Sequence, residues 1–332
     1  MVASHVSSVT SSGTRIVFLG SKTLGVRLLE TMAAAAPGVV AAAITLDDRA
    51  DSRSRFDDLA RVASQHGIPL HVASDRKQAE ALVGAEGPDL CVVACWYWLI
   101  SPALLESVPR GFIGIHNSLL PKYRGGAPLV WALINNESEV GATFFAFRDG
   151  IDDGPVWLQA TIRVGSEEHV GEVMARLEDE TVRLFGAHVP ELLNGSISLR
   201  EQRHDDATYC AQRLPEDGEI DWTRPGQRVF DFIRAQTTPY PGAFTFIDSR
   251  QLTILRAAPV RARYDGTPGQ VARVDREGAV VVCGDASAVR VIEVDAGEGR
   301  VPAASVIRSL SVRFPRVTGL ARAGAAGAFK TC

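Results

Sequence analysis

The segment Asp89-Leu-Cys-Val-Val-Ala-Cys95 is an apolar run in which polar and apolar residues do not alternate. This pattern is typical of a strand buried on both faces, as in a parallel sheet that is covered by helices. Two earlier runs have the same character, Arg15 to Leu19 and Val39 to Thr45, and a further strand follows at Phe112 to His116. We therefore predict that a parallel sheet forms the centre of the fold.

Helical segments separate these strands. The spacing of apolar residues predicts helices over residues 24–36, 56–66, 75–83 and 102–108. This alternation indicates an α/β fold with a Rossmann-like, mostly parallel sheet in the N-terminal domain. Because ligands of such sheets bind beyond the carboxyl ends of the strands, we expect residues 94–98 and His116 to surround one crevice.

A second, smaller domain is predicted towards the end of the chain. A helical stretch from Glu167 to Leu193 is followed by a polar connector. Beyond it lie short apolar runs at residues 243–246, 252–255, 270–274, 279–282 and 289–293. Short strands separated by Gly, Asp and Pro are typical of a small β-barrel, here an OB-like one. We expect a disordered leader over 1–13, a catalytic domain over 14–200, a β-rich domain over 201–317 and a flexible tail over 318–332.

Composition restricts the class of protein. The net charge of −4 disfavours nucleic acid as a partner, because such binders usually present a basic face. The five cysteines are scattered, and Cys91 and Cys95 have no Cys or His pair beside them that would complete a zinc site. We interpret them as reduced thiols of a cytoplasmic protein without a metal site. No uninterrupted apolar run reaches about 18 residues, so we expect no membrane partner.

The stretch Gly111–Gly154 carries the residues best suited to chemistry. His116 ends an apolar strand, and Asp152 lies in a tight acidic turn that is bounded by glycine. A carboxylate beside an imidazole orients the ring, so the two residues can form an acid–base pair. A core histidine and a metal ligand are the alternatives, although the stretch lacks further ligands at metal-binding spacing. We interpret Asp149 and Asp153 as solvated turn residues.

A basic, glycine-rich loop, Pro121-Lys-Tyr-Arg-Gly-Gly126, lies between the histidine and the acidic turn. Its two cations and its aromatic ring could clamp an anionic or nucleotide-linked substrate. A solvated surface loop is the alternative interpretation. The candidates for substrate binding are Ser118, Lys122, Tyr123 and Arg124.

The run His-x-Ser-Leu-Leu-Pro-x-Tyr-Arg-Gly that begins at His116, with the later Asp-x-Gly-Pro turn that begins at Asp152, resembles a known family. It is similar to the formyltransferases that use 10-formyltetrahydrofolate, including the methionyl-tRNA, glycinamide ribonucleotide and sugar N-formyltransferases. The segments Pro215–Trp222 and Ile233–Phe244 resemble the start of the C-terminal domain in the tRNA and sugar branches. The resemblance covers Arg15–Arg313 and implies an N-formyltransferase with 10-formyltetrahydrofolate as co-substrate.

The resemblance also implies a catalytic triad of the form Asn-x-His with a later Asp. His116 and Asp152 match it, whereas Gly114 stands where the Asn belongs. The family's amide donates to the oxygen that gains negative charge during amine attack, and losing such a donor costs on the order of 100- to 1000-fold in rate. Asn117, directly after the histidine, is our candidate for the missing donor. Alternatively, protonated His116 donates alone, or formyl transfer has been lost.

By resemblance, two segments flank the pterin of the folate, 96–99 and 145–150. An apolar slot with backbone donors suits the edge of a pterin. The candidates are Trp96, Tyr97, Trp98, Leu99, Phe147 and Gly150. For Trp96 and Trp98, a place in the core is the alternative for at least one of the two.

Three classes of acceptor amine compete. We rank a nucleotide-linked amino sugar first, because it suits the cations of the 121–126 loop. Hydroxyornithine in siderophore assembly, or another small amine of natural-product biosynthesis, ranks second. Methionyl-tRNA ranks third, because segment 47–61 mixes arginines with aspartates and so does not suit a phosphate backbone. The non-enzyme alternative is a folate-binding relative that has lost catalysis. A homodimer is compatible with the sequence.

Overall fold

The computed structural model describes residues 14–315. The predicted leader over 1–13 and the predicted tail over 318–332 lie outside these residues. Within the described range, the chain forms two compact units. The first consists of residues 14–114, 146–149 and 182–199, and the second of residues 115–145, 150–181 and 200–315. The domain boundary near residue 200 stays a prediction.

The elements up to the histidine alternate between strand and helix. They are β1 (Ile16–Gly20), α1 (Lys22–Ala35), β2 (Val40–Thr45), α2 (Phe56–Gln65), β3 (Leu70–Val72), α3 (Arg76–Glu86), β4 (Leu90–Ala94), α4 (Pro102–Ser107) and β5 (Phe112–His116). The next group is β6 (Arg124–Gly125), α5 (Pro128–Ile134), β7 (Glu139–Ala146), β8 (Val156–Arg163), α6 (Val170–Asn194) and β9 (Tyr209–Cys210). The last group is α7 (Gly226–Arg234), β10 (Ala243–Ile247), β11 (Arg250–Val260), β12 (Val271–Asp275), β13 (Gly278–Val282), β14 (Ala288–Asp295), β15 (Arg300–Pro302) and α8 (Ala303–Val306).

The first unit is built on parallel strands. β1 pairs with β2 and β4, β2 with β3, and β4 with β5, so the order is β3-β2-β1-β4-β5. Every residue of β1 and β4 is buried, as expected for strands that are covered on both faces. This arrangement confirms the predicted Rossmann-like sheet.

The neighbouring ends of β1 and β4 mark the point where the strand order reverses, and this is where such sheets bind ligands. The Ser21 N–H donates to the Ala94 carbonyl at 3.2 Å, and the Ser21 hydroxyl donates to the Cys95 carbonyl at 2.6 Å. These bonds hold the chain as it leaves β4 and fix the start of the segment 96–99.

The second unit contains a six-stranded antiparallel sheet in the order β10-β11-β14-β13-β12, with β15 paired to β14. Its inner face packs on α7 through buried side chains such as Trp222, Phe230, Ile254 and Val291. This small antiparallel sheet confirms the predicted barrel-like C-terminal part.

Two strands of the second unit are absent from our prediction. β7 and β8 pair antiparallel, and residues 140–145 of β7 are buried without interruption. Within residues 14–315, no helix is long and apolar enough to cross a membrane.

Candidate active site

His116 is the last residue of β5 and its side chain is buried. The Ser118 N–H donates to the His116 carbonyl at 2.9 Å, so the chain turns directly after the histidine. Nε2–H of the imidazole donates to the Tyr123 carbonyl at 2.7 Å, and Nδ1 lies 3.5 Å from Oδ2 of Asp152. Because Nε2 is engaged, proton exchange with an amine would pass through Nδ1 or require release of the Tyr123 carbonyl.

Asp152 faces the histidine from the acidic turn. Its Oδ2 also accepts a hydrogen bond from the Gly125 N–H at 2.8 Å. Its backbone has φ of +50°, a left-handed conformation that a residue other than glycine adopts at a cost. The structure therefore brings His116 and Asp152 together, and their catalytic roles stay predictions.

Asp153 differs from our expectation of a solvated turn residue. Its Oδ1 is buried and has no hydrogen-bond partner among residues 14–315. Its carboxylate packs so closely on Gly150 that a Cβ there would overlap it. Gly150, which we expected beside the pterin, thus makes room for a carboxylate of its own turn.

Asn117 lies just beyond the end of β5, and its side chain is half-buried. The side-chain amide makes no hydrogen bond to any residue in the described part of the chain. The amide is therefore available as a hydrogen-bond donor. Our hypothesis that Asn117 replaces the triad Asn requires such a donor. That role stays a prediction.

Gly114 lies directly against the ring of Phe147. A Cβ at position 114 would overlap the Phe147 ring, so this ring fills the space that a side chain at 114 would take. The ring stacks on Phe112, with centroids 6.3 Å apart, and the Phe147 N–H donates to the Phe112 carbonyl at 2.9 Å. The volume of the missing Asn is thus occupied by Phe147, which we had expected beside the pterin.

The four residues taken as substrate-binding candidates differ in their surroundings. Lys122 is exposed, and its ammonium contacts no partner within the described ranges, so it remains a candidate. The buried Ser118 hydroxyl donates to the Lys122 carbonyl at 2.6 Å. The Tyr123 hydroxyl donates to Glu137 at 2.7 Å, and burial, with Glu137 as the next cause, raises the pKa of Tyr123 to about 12.

Arg124 requires a correction. Its side chain is only 1% exposed, and its guanidinium donates to Gln202 at 2.8 and 3.2 Å and to the Tyr209 hydroxyl at 3.1 Å. It also lies 3.2 Å from Nδ1 of His204. A guanidinium that is enclosed in this way supports the loop and does not present a cation to substrate.

The segment that follows β4 carries the folate-binding candidates of the first unit. Trp96 and Trp98 are half-buried, meet edge to face at 5.3 Å and pack with Phe147 against the core beneath them. Leu99 is 79% exposed, and the Tyr97 hydroxyl donates to Asp48 at 3.0 Å. The places of these four side chains beside the pterin stay predictions.

The polar connector that we predicted after the long helix, residues 196–217, lies in part along the 122–126 loop. β9 pairs with β6, and the Tyr123 N–H donates to the Thr208 hydroxyl at 2.8 Å. Gly125 permits this approach, because a Cβ there would lie 2.5 Å from the Cys210 carbonyl oxygen. Burial, and then the charge of Asp152, raise the pKa of Cys210 to about 11, so this thiol stays protonated at neutral pH. No sequence motif marks this contact.

Among residues 14–315, no three His, Cys, Asp or Glu side chains lie close enough together to hold a metal ion.

Comparison with known proteins identifies the family. Residues 14–189 match the formyl transferase family, and residues 214–311 match the formyl transferase C-terminal domain. The methionyl-tRNA formyltransferase of Geobacter sulfurreducens is 33% identical over 320 residues, which are 94% of this chain and 98% of that protein. The methionyl-tRNA formyltransferase of Citrifermentans bemidjiense is 33% identical over 299 residues, which are 88% of this chain and 92% of that protein.

Solved structures show the same fold. An N-formyltransferase from Helicobacter canadensis, in complex with folinic acid and dTDP-3-aminofucose, matches with a TM-score of 0.65 at 17% identity. The match covers 84% of this chain and 98% of that one. Together with the family matches over both parts of the chain, these relatives show that the protein belongs to the formyltransferase family and is an N-formyltransferase with 10-formyltetrahydrofolate as formyl donor.

Proposed function

We propose that the acceptor is the amino group of methionyl-tRNA. The observation that carries this proposal is the 33% identity to methionyl-tRNA formyltransferases, which extends over nearly the whole of both chains. From the sequence we ranked a nucleotide-linked amino sugar first and methionyl-tRNA third, and the identity to these relatives supports methionyl-tRNA better than the amino sugar. The likeness to sugar N-formyltransferases is at 17% identity and supports the fold alone.

The proposed chemistry is direct transfer. The amine nitrogen attacks the formyl carbon, a C–N bond forms, and the bond between the formyl carbon and N10 of the folate breaks. The amine loses a proton and N10 gains one. We assign proton transfer to His116, with Asp152 facing its Nδ1 at 3.5 Å, and the donor to the developing oxyanion to the amide of Asn117.

For the folate, we propose that the pterin lies against the partly exposed faces of Trp96 and Trp98. These rings offer apolar area at the carboxyl end of β4. Phe147 packs in the same cluster and supports these rings from the core side. Lys122 is the residue we assign to an anionic group of the acceptor.

A small amine, with a nucleotide-linked amino sugar as its main form, is the second candidate. It is favoured by the arginines of segment 47–61, each of which lies within 4.0 Å of an aspartate. The pairs are Arg49–Asp47, Arg53–Asp51, Arg55–Asp58 and Arg61–Asp58. Every phosphate contact by these arginines would have to compete with a carboxylate, which weakens the electrostatic attraction for tRNA.

The test is a turnover assay with 10-formyltetrahydrofolate and three acceptors in parallel. These are methionyl-tRNA, dTDP-linked amino sugars and hydroxyornithine. We expect release of tetrahydrofolate and a formylated product with methionyl-tRNA, at a kcat/KM well above that with the other two. The His116→Ala variant should abolish turnover, and His66→Ala, a change at an exposed histidine, should leave it unaltered. Turnover with a small amine alone would overturn the tRNA assignment in favour of the second candidate.

A further inference from the structure

Gln202 lies in the connector after α6 and is buried, with 6% of its side chain exposed. Its amide uses its full hydrogen-bonding capacity. The oxygen Oε1 accepts from Nε and from a terminal nitrogen of Arg124, at 3.2 and 2.8 Å. The nitrogen Nε2 donates to the carbonyl of Asp152 at 2.9 Å and to the carbonyl of Gly154 at 2.6 Å. One side chain thus joins the basic loop to the acidic turn.

On the loop side, Gln202 holds Arg124. This residue lies between the two backbone groups that contact His116 and Asp152, the Tyr123 carbonyl and the Gly125 N–H. Arg124 is flanked by Tyr123, whose carbonyl accepts from Nε2 of His116 at 2.7 Å. It is followed by Gly125, whose N–H donates to Oδ2 of Asp152 at 2.8 Å. Because the guanidinium is buried and held by Gln202, both backbone groups are held in place as well.

On the turn side, Gln202 stabilises a backbone conformation that is otherwise unfavourable. Asp152 has φ of +50°, and for a residue other than glycine this conformation costs about 1–3 kcal/mol unless its surroundings enforce it. The two N–H groups of Gln202 bind the carbonyl of Asp152 itself and that of Gly154 beyond it. The carboxylate therefore emerges from a turn whose shape depends on this amide.

We propose that Gln202 is a positioning residue for the His116–Asp152 pair, setting the distance between the imidazole and the carboxylate from both sides. This inference rests on the proposed roles of His116 and Asp152 in formyl transfer. Gln202 touches neither reacting group through its side chain, so it acts through the backbone of Asp152 and through Arg124. A residue in this position affects the reaction rate more than the binding of either substrate.

The matched control is Gln236. It is equally buried at 6%, its Oε1 accepts from Arg213 at 2.6 Å, and its Nε2 donates to the Phe232 carbonyl at 2.8 Å. Its amide oxygen also accepts from an arginine and its amide nitrogen also donates to a carbonyl, but it makes no bond to Asp152. Comparison of Gln202→Met with Gln236→Met separates the loss of a buried amide from the loss of this particular link.

With the best acceptor of the wild type, Gln202→Met should lower kcat about tenfold or more, while KM for both substrates changes less than about threefold. Gln236→Met should change kcat less than about threefold. A second variant, Gln202→Glu, keeps the acceptor for Arg124 and so preserves the buried contact. It lacks the two N–H donors, and we expect its kcat to fall as in Gln202→Met. Full activity of Gln202→Glu, or equal loss in both Met variants, would overturn the proposal.

A second readout does not depend on knowing the acceptor. The rate at which diethyl pyrocarbonate modifies His116, followed by mass spectrometry of the peptide that contains it, reports how firmly the ring nitrogens are held. We expect this rate to rise about fivefold or more in Gln202→Met and to stay unchanged in Gln236→Met. If the wild type formylates none of the three amines, the proposal for the acceptor is wrong. The modification rate of His116 still tests Gln202 in that case, and an unchanged rate in Gln202→Met would refute its positioning role.

Discussion

At the scale of single residues, position 114 stands out. The resemblance to the formyltransferases implies an Asn there, and the Phe147 ring fills the space that a side chain at Gly114 would take. The side-chain amide of Asn117, directly after His116, has no hydrogen-bond partner among the described residues.

If Asn117 donates to the oxyanion, Asn117→Ala should lower kcat on the order of 100- to 1000-fold with little change in KM, because the bond exists only as charge develops. Steady-state kinetics with the best acceptor measures this. Asn194→Ala is the control, since among the described residues that side chain bonds only to Ser196, within its own turn. A kcat within a factor of about three of the wild type would assign the donor to protonated His116 instead.

Because the Phe147 ring packs directly on Gly114, we expect the effects of substitutions at the two positions on stability to be coupled. Gly114→Asn alone should destabilise the protein, because the new side chain would overlap the Phe147 ring. In Gly114→Asn/Phe147→Ala the space is restored, so the double variant should be more stable than the sum of the single changes by about 1–3 kcal/mol. Urea unfolding of the four proteins measures this. Gly84→Asn serves as the control, because a side chain at this helix position meets no neighbour. Additive effects of the two substitutions at 114 and 147 would contradict the expected coupling.

At the scale of elements, the site depends on how short segments are held between longer ones. β5 delivers His116, β6 and β9 form a two-residue parallel pair, and the connector that includes Gln202 ties this pair to the acidic turn. A similar buried polar link joins the start of α6 to β11. There His169 donates from Nδ1 to the Glu167 carbonyl at 3.1 Å, while its Nε2 accepts from the Ala257 N–H at 3.4 Å.

This second link predicts a dependence of stability on pH. Burial, and then the charge of Arg256, lower the pKa of His169 below its usual value of 6.5. The folded state therefore disfavours the protonated ring, so the contribution of His169 is present above pH 6.5 and is lost as pH falls towards the folded pKa. Thermal unfolding between pH 7.5 and pH 5 should show a smaller loss of stability in His169→Gln than in the wild type. His66→Gln should follow the wild type, and a parallel loss in all three would exclude His169 as the cause.

At the scale of the whole molecule, charge bears on the choice of acceptor. The chain has a net charge of −4, and the arginines of segment 47–61 lie beside aspartates. If methionyl-tRNA is the acceptor, as we propose, local cations such as Lys122 have to bind it against this unfavourable net charge. The dependence of kcat/KM on ionic strength therefore distinguishes tRNA from a small amine.

With methionyl-tRNA as acceptor, kcat/KM should fall about tenfold or more between 50 and 200 mM KCl, because each phosphate contact releases a counterion. With a small amine the same change should stay below about twofold. Lys122→Met should reduce the dependence of kcat/KM for tRNA on salt concentration. Lys77→Met, at an exposed position of α3, should leave this dependence unchanged. A salt-independent kcat/KM with tRNA would argue that phosphates do not contribute to its recognition.

The amino-acid sequence by itself determined the parallel sheet, because strands such as β1 and β4 are apolar throughout and need cover on both faces. It also determined the family, since the run that begins at His116 is specific, and it placed His116 and Asp152 as partners. Tertiary structure alone decided that Arg124 is buried, that Phe147 fills the space beside Gly114 and that Gln202 joins loop to turn. The physical reason is that local periodicity encodes which faces are buried. Contacts between residues about 30 to 80 positions apart depend on how loops close in space, and no local pattern records them.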